Sequence, residues 1–322
     1  MSTCTPPQQN IIDYDRGGYD YREFWADRQY EDWAESRALD RIMRKLGHPR
    51  WFADFGGGFG RNAPHYRRRA HHSVIVDSSA NNLTHAGELH AADIAAGRVH
   101  LVRGTVTALP FVDGAFDAAM VVRVLHHLDD VKQALCEMGR TINGSWLVDV
   151  PIKHHALGRL RSAVRLRLGE MSSPEPLIRG SSEHPFRAYR LPVIRQLLSE
   201  ADWDSDLVAS VNNFRRWDQA LPQLVVAALR PLVQTLEIVT QSTGRGWWGP
   251  SQFLVATRRS DVRPLLGSTP AGLPTSMAEL ARRMVCPACR DALTWTADHA
   301  RCGACLQTFR RQHSFWDFVP QG

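Results

Sequence analysis

The chain has 322 residues, enough for one large domain and a small one, and its 43% hydrophobic and 22% charged residues are ordinary for a soluble globular protein. Charge interrupts every long apolar stretch, so neither a membrane-spanning helix nor a membrane partner is expected. The first nine residues show no basic region followed by an apolar one, which argues against a secretory signal and makes a cytoplasmic location the expectation.

Residues 1–30, rich in Tyr, Asp and Arg, read as an N-terminal segment closing over a cofactor site. A helix is predicted over 31–46, with Leu39, Ile42, Met43 and Leu46 on one face and Gly47 as its stop. Strands follow at 51–55, 73–77, 99–103, 116–122 and 145–150, with helical stretches after the glycine turn, within 80–96 and near 129–140. This βαβαβ alternation predicts an α/β fold: a doubly wound, Rossmann-like parallel sheet covered on both faces. The domain is expected to span 31–261.

The segment Asp54-Phe-Gly-Gly-Gly-Phe-Gly60 joins the first strand to a helix. Glycines there let backbone N–H groups approach a ligand where a Cβ would clash. A carboxylate two residues before the first glycine attracts a cationic amine and repels phosphate, which suits S-adenosylmethionine better than a dinucleotide. The dehydrogenase fingerprint fits poorly, since Arg61 stands where its last Gly or Ala would fall. Asp77, at the end of the second strand, is placed to accept ribose hydroxyls.

These segments, with Ala108-Leu-Pro-Phe-Val-Asp-Gly-Ala-Phe-Asp117 and Arg123-Val-Leu-His-His-Leu128, resemble in order the motifs of class I S-adenosylmethionine-dependent methyltransferases over about residues 25–150. They are most similar to the group typified by ubiquinone/menaquinone methyltransferases. The resemblance implies that Gly56, Gly58 and Gly60 pass close to the cofactor, that Asp54 faces its methionine end and that Asp77 holds the ribose. Arg28 is a candidate partner for the methionine carboxylate, and Arg123 belongs to the cofactor set. Where the family commonly has an acidic residue beside the adenine, this chain has Thr105 and Val106.

Beyond the fifth strand, 156–250 reads as a helical insertion roofing the site. Helices are predicted at 157–168 and 191–201, a strand at 207–214, a helix pair over 221–240 split at Pro231, and a closing strand at 251–257. Candidate bases are His126, His127, Asp149, Lys153, His154, His155, Glu170, Glu175 and His184, of which His155 and Glu175 are preferred. Trp217, Trp247 and Trp248 could steady a cation.

Residues 262–277 read as a linker before a small unit at 278–322. Cys286-Pro-Ala-Cys289 and Cys302-Gly-Ala-Cys305 have the spacing of a tetrahedral four-thiolate site, structural zinc first and iron the rival. Disulfides are the bland alternative, disfavoured in a reducing compartment. Residues 284–319 resemble Trm112-like zinc ribbons, which implies docking in cis on the catalytic domain. Cys4 reads as an exposed tail thiol and Cys136 as a helix core residue. The expected function is methyl transfer to an O, N or C nucleophile of a small metabolite, such as a natural product. The net charge of 39 − 33 = +6, clustered at Arg67–Arg69 and at Arg159, Arg161, Arg165 and Arg167, keeps an RNA or peptide substrate as the alternative. A non-catalytic binding module is the third reading.

Overall fold

The computed structural model describes residues 21–164, 168–181, 185–219 and 221–319. Cys4, Arg165, Arg167, His184 and residues 1–20 of the N-terminal segment lie outside them. The chain opens with α1 (Tyr21–Ala26) and α2 (Gln29–Lys45) and enters β1 (Trp51–Phe55). Then come α3 (Ala63–Tyr66), β2 (His72–Asp77), α4 (Ala80–Leu89), α5 (Ala91–Ala95), β3 (Val99–Arg103), β4 (Phe116–Val121), α6 (Val131–Arg140) and β5 (Ile142–Pro151). The insertion comprises α7 (Ala156–Val164), α8 (Leu168–Ser172), the hairpin β6 (Leu177–Gly180) and β7 (Pro185–Ala188), and α9 (Leu191–Glu200). β8 (Trp203–Val211), α10 (Gln223–Thr243) and β9 (Ser251–Arg258) complete the large domain. The C-terminal unit holds α11 (Thr275–Ala281) and strands β10 (Leu293–Trp295), β11 (His299–Cys302), β12 (Thr308–Gln312) and β13 (Phe315–Asp317).

One sheet runs through nearly all of this, in the order β10-β11-β12-β13-β3-β2-β1-β4-β5-β9-β8. The strands from β3 to β5 are parallel, and β9 and β8 close that side antiparallel. Every residue of β1 is buried, because successive side chains feed opposite faces and both are covered. Trp51, Ala53 and Phe55 join the cluster that includes Phe111, Phe116, Trp146 and Trp203. Phe52 joins Leu39, Ile42, Met43 and Tyr66 on the other side. Ligands of such sheets sit beyond the carboxyl ends of the strands, where order reverses between β1 and β4.

Several boundaries differ from the sequence reading. β8 starts at Trp203, well before Leu207, and β5 starts at Ile142. The hairpin β6–β7 carries no strong alternation and was not anticipated, and α11 begins inside the stretch read as linker. α10 is one helix through Pro231, not a pair split there. The carbonyl that loses its partner to Pro231 belongs to Ala227, which is exposed and reaches water. α10 is also long and apolar enough to cross a membrane by length and composition. Its Glu237 and Gln241 nevertheless bond into the domain, to the Tyr30 hydroxyl (2.6 Å) and the Ala34 carbonyl (2.9 Å).

The C-terminal unit continues the sheet. β13 runs parallel to β3, pairing Phe315, Trp316 and Asp317 with Leu101, Val102 and Arg103. Val112 N–H donates to the Arg283 carbonyl (2.8 Å) and Val285 N–H to that of Pro110 (3.0 Å). Leu280, Met284, Phe309, Trp316 and Phe318 belong to the same core cluster as Trp51 and Phe111. An exposed β3 edge would be a template for unwanted pairing, and the unit covers it.

Candidate functional site

The β1 strand delivers the glycine loop to the open end of the sheet. Gly56 and Gly57 N–H groups both donate to the Val76 carbonyl, at 2.7 and 3.1 Å, which ties the loop to β2. Gly56, Gly58 and Gly60 all have positive φ, which favours glycine. A Cβ on Gly58 would meet nothing closer than the Tyr21 ring at 3.5 Å, an ordinary contact, so the positive φ and not crowding favours glycine there. Gly58 N–H donates to Asp77 Oδ2 (2.8 Å), while Asp77 Oδ1 accepts from Ser79 N–H (2.9 Å). Gly60 has another role than expected: it does not line the pocket. A Cβ there would lie 2.4 Å from His90 Nε2, so the glycine permits close helix packing.

Beyond the loop lies a pocket enclosing about 870 Å³, counted out to its mouth. One wall comes from the end of β2 (Val76, Asp77, Ser78), and the next from Gly104 to Thr107 after β3. Val122, Arg123 and Val124, then His127, Leu128 and Asp129, form the side beyond β4, and Tyr21 closes from α1. Thus Gly56, Gly58, Asp77, Thr105, Val106 and Arg123 come together here as the sequence suggested. Val124 lies inside the quoted motif, and Val122 and Asp129 flank it and could have been found by extending it. Tyr21 had no spacing signal, since α1 reaches the pocket only through the tertiary fold. A glycine loop, a carboxylate at a strand end and valines across from it fit the parts of S-adenosylmethionine: a charged tail, a ribose and a flat apolar base.

Two residues assigned to the methionine end sit elsewhere. Asp54 lies beneath the glycine loop, 1% exposed, accepting from the Tyr66 hydroxyl (3.2 Å), and does not line the pocket. Burial pushes its carboxyl up to about 7. Arg28 pairs with Glu31 (2.9 Å) and lies over the Phe24 ring, so it is spent on α2 and does not face the pocket. The charge at the pocket edge is organised around Glu35 instead. Its buried carboxylate accepts from Arg123 Nε (2.6 Å), an Arg61 guanidinium nitrogen (2.6 Å) and Asn212 Nδ2 (2.9 Å). Burial opposes ionisation, but Arg123 and Arg61 hold the Glu35 carboxyl down at about 2. Arg123 itself has φ 60°, with its N–H donated to Asp149 Oδ2 (3.0 Å) and its guanidinium also on Glu31 (3.1 Å). Arg61 and Arg123 stack on Trp25 at 3.6 and 4.6 Å, a cation platform the sequence reading placed at Trp217, Trp247 and Trp248. Those three tryptophans do not line the pocket.

Neither preferred base reaches the site. His155 directly precedes α7, its Nδ1 accepting from Gly158 N–H (3.4 Å), and burial pushes its imidazole down to about 4. Glu175 is exposed, and it is its carbonyl that accepts from Lys153 Nζ (2.6 Å). Both lie on the insertion, away from the lining residues. Among the described imidazoles only His127 lines the pocket. His126 packs between the tilted rings of His127 (3.9 Å) and Phe186 (4.5 Å). Burial pushes Asp149 up to about 6, and it accepts from Ser251 Oγ (2.5 Å). Of the basic clusters, Arg67 is paired with Asp93 (2.6 Å) and Arg159 donates to the His154 carbonyl (2.9 Å).

In the C-terminal unit the sulfurs of Cys286, Cys289, Cys302 and Cys305 all lie within 4.8 Å of one another. Cys286 and Cys302 are buried, whereas Cys289 and Cys305 face outward. Four convergent thiols supply the soft donor set that zinc or iron takes. Cys136 is in no disulfide and only partly buried, not the core residue anticipated.

Comparison with known proteins adds three findings. A methyltransferase domain family matches residues 53–145. The chain is 28% identical over 133 residues to the O-methyltransferase rstn1 of Aspergillus nomiae, a match spanning 39% of this chain and 58% of that protein. It is 28% identical over 195 residues to the O-methyltransferase resE of Aspergillus sclerotiorum, covering 55% and 72% respectively. Among solved structures it is similar to the magnesium protoporphyrin IX methyltransferase of Synechocystis PCC 6803 with bound S-adenosylhomocysteine. That likeness has 14% identity and a TM-score of 0.47, covering 74% of this chain and 92% of the other.

Proposed function

We propose that the chain transfers the methyl group of S-adenosylmethionine to an oxygen of a small molecule, as in natural-product tailoring, a reading supported by the match of residues 53–145 to a methyltransferase domain family. The observation that carries this is the pocket at the strand ends, lined by Gly56, Gly58 and the Asp77 carboxylate. The O-methyltransferase names of its Aspergillus relatives support oxygen over nitrogen or carbon. When bound, the cofactor would supply a methyl group on a sulfonium, open to displacement by a nucleophile. Asp77 holds the ribose hydroxyls, and Thr105 and Val106 border the base. Tyr21 and the α1 segment exclude water from the mouth. His127 lines the same pocket, and we assign it to take the hydroxyl proton of the acceptor at a ring nitrogen.

The four thiols read as a structural zinc site, closed because the protein fills all four positions. Its ribbon caps the β3 edge in cis, a reading supported by the β13–β3 ladder. A site needing reduced cysteines favours the cytoplasm. The test is a panel of phenolic and carboxylic small molecules incubated with methyl-labelled cofactor. Label transfer to an oxygen that falls at least tenfold in His127→Asn, with S-adenosylhomocysteine affinity unchanged, supports the reading. Transfer to RNA or a peptide but to no small molecule sinks it.

A further inference from the structure

Much of α10 has no cover. Val226, Glu237 and Gln241 mark the side that packs on the domain. A different side carries Val225, Leu229, Leu232, Leu236 and Val239, spaced 4, 3, 4 and 3 residues. At 100° per residue this line sits roughly 120° around the helix from the domain-facing side. Its members are 40, 37, 56, 41 and 52% exposed, and Leu224 beside them is 87% exposed. Alternating steps of four and three are the a/d repeat that keeps an apolar seam against another helix.

We infer that this seam is a homodimer interface, with α10 packing antiparallel against α10 of a second copy. With Leu221 and Leu224 the seam leaves on the order of 600 Å² of apolar surface open, the top of the range for a monomer. That approaches the ~800 Å² that each partner of a standard interface contributes. An isologous contact needs a surface complementary to itself, and an unbroken row of aliphatic side chains meets that condition. In the antiparallel register Leu232 meets Leu236 of the second copy and Leu229 meets its Val239. The bare first half of each helix then covers the second half of the other. Other occupants fit less well. A helix lying on a lipid surface carries Lys and Arg along its polar face and aromatic residues at its edge, whereas α10 has Arg230 alone and no aromatic residue. A spanning role would strip Glu237 and Gln241 from their partners in the domain.

Sedimentation equilibrium of the full chain at about 50 µM tests the proposal, alongside Leu232→Glu/Leu236→Glu and the milder Leu232→Ser, each checked by far-UV circular dichroism. The expected result is twice the 36.3 kDa of one chain for the parent. The dimer dissociation constant should rise at least thirtyfold in the double variant, and Leu232→Ser should be intermediate. A monomeric parent overturns the proposal, as does a folded double variant that remains dimeric. Co-sedimentation of the parent with 3:1 phosphatidylcholine/phosphatidylglycerol vesicles, lost in the double variant, would give the face to lipid and equally overturn it.

Discussion

Glu35→Gln should destabilise the protein and loosen its pocket in one step. Glu35 is 1% exposed and joins Arg123, Arg61 and Asn212 at 2.6, 2.6 and 2.9 Å. Neutralising it leaves two buried guanidinium groups with only Glu31 and Asp32 to answer them. Removing one partner of a buried ion pair costs about 3–5 kcal/mol, and the remaining carboxylates keep the estimate near the lower end. For a chain of this size that is a fall of roughly 4–7 °C in melting temperature. The Glu35 carboxyl titrates near 2 in the fold against 4.5 ordinarily. Its stabilisation is therefore present above pH 4.5 and lost as pH falls toward 2. The gap between parent and variant should be full at pH 7 and narrow below pH 4.5. Arg123 and Asn212, both held by Glu35, both have φ 60°, a conformation costing on the order of 1–2 kcal/mol per residue. Released, Arg123 leaves the pocket wall, and S-adenosylhomocysteine affinity should drop about tenfold, or ~1.4 kcal/mol. Calorimetric melting at pH 7 and pH 4 with titration calorimetry reads both effects. A variant melting within 2 °C of the parent at pH 7, or a gap independent of pH, would refute the reasoning.

The glycine loop gives a second prediction. Gly58→Ala should melt within a few degrees of the parent yet bind S-adenosylhomocysteine at least tenfold more weakly, whereas Gly60→Ala should fail in stability because its Cβ would strike His90. Equal melting temperatures for the two would contradict the distinction. For Asp54, burial raises the folded carboxyl to about 7 from 3.8, so its favourable contribution is present below pH 3.8 and lost as pH rises through 7. Asp54→Asn should accordingly gain melting temperature relative to the parent between pH 5 and 8.5, and a flat difference across that range would count against the burial argument. Finally, elemental analysis should give about one zinc per chain, falling several-fold in Cys302→Ser with a lower melting temperature; an unchanged metal content in that variant would remove the site.

The central sheet was legible in the sequence because its strands are continuous apolar runs separated by helical stretches, and both periodicities survive into the fold. The pocket's lining was legible where its residues sit at strand ends: Asp77 ends β2, and Gly58, Thr105 and Arg123 follow β1, β3 and β4. What failed depended on contacts distant in sequence. Arg28 was spent on Glu31 by helical spacing, which a linear reading could have weighed. Asp54 was drawn beneath the loop by Tyr66, and Gly60 was needed by His90, thirty residues on. The insertion was hardest, since β6 and β7 gain their order from each other and neither His155 nor Glu175 lines the pocket. Glu35 drew no notice in the sequence, because a glutamate in an amphipathic helix looks solvated until Arg61, Arg123 and Asn212 close on it.

The most direct measurement is titration of S-adenosylhomocysteine into the metal-loaded full chain, with Asp77→Asn in parallel. One site per chain with a micromolar dissociation constant, weakened at least tenfold in the variant, is the predicted result. No detectable heat with the parent chain, or equal affinity in the variant, would contradict the assignment of the glycine loop and Asp77 to a methyl-donor pocket.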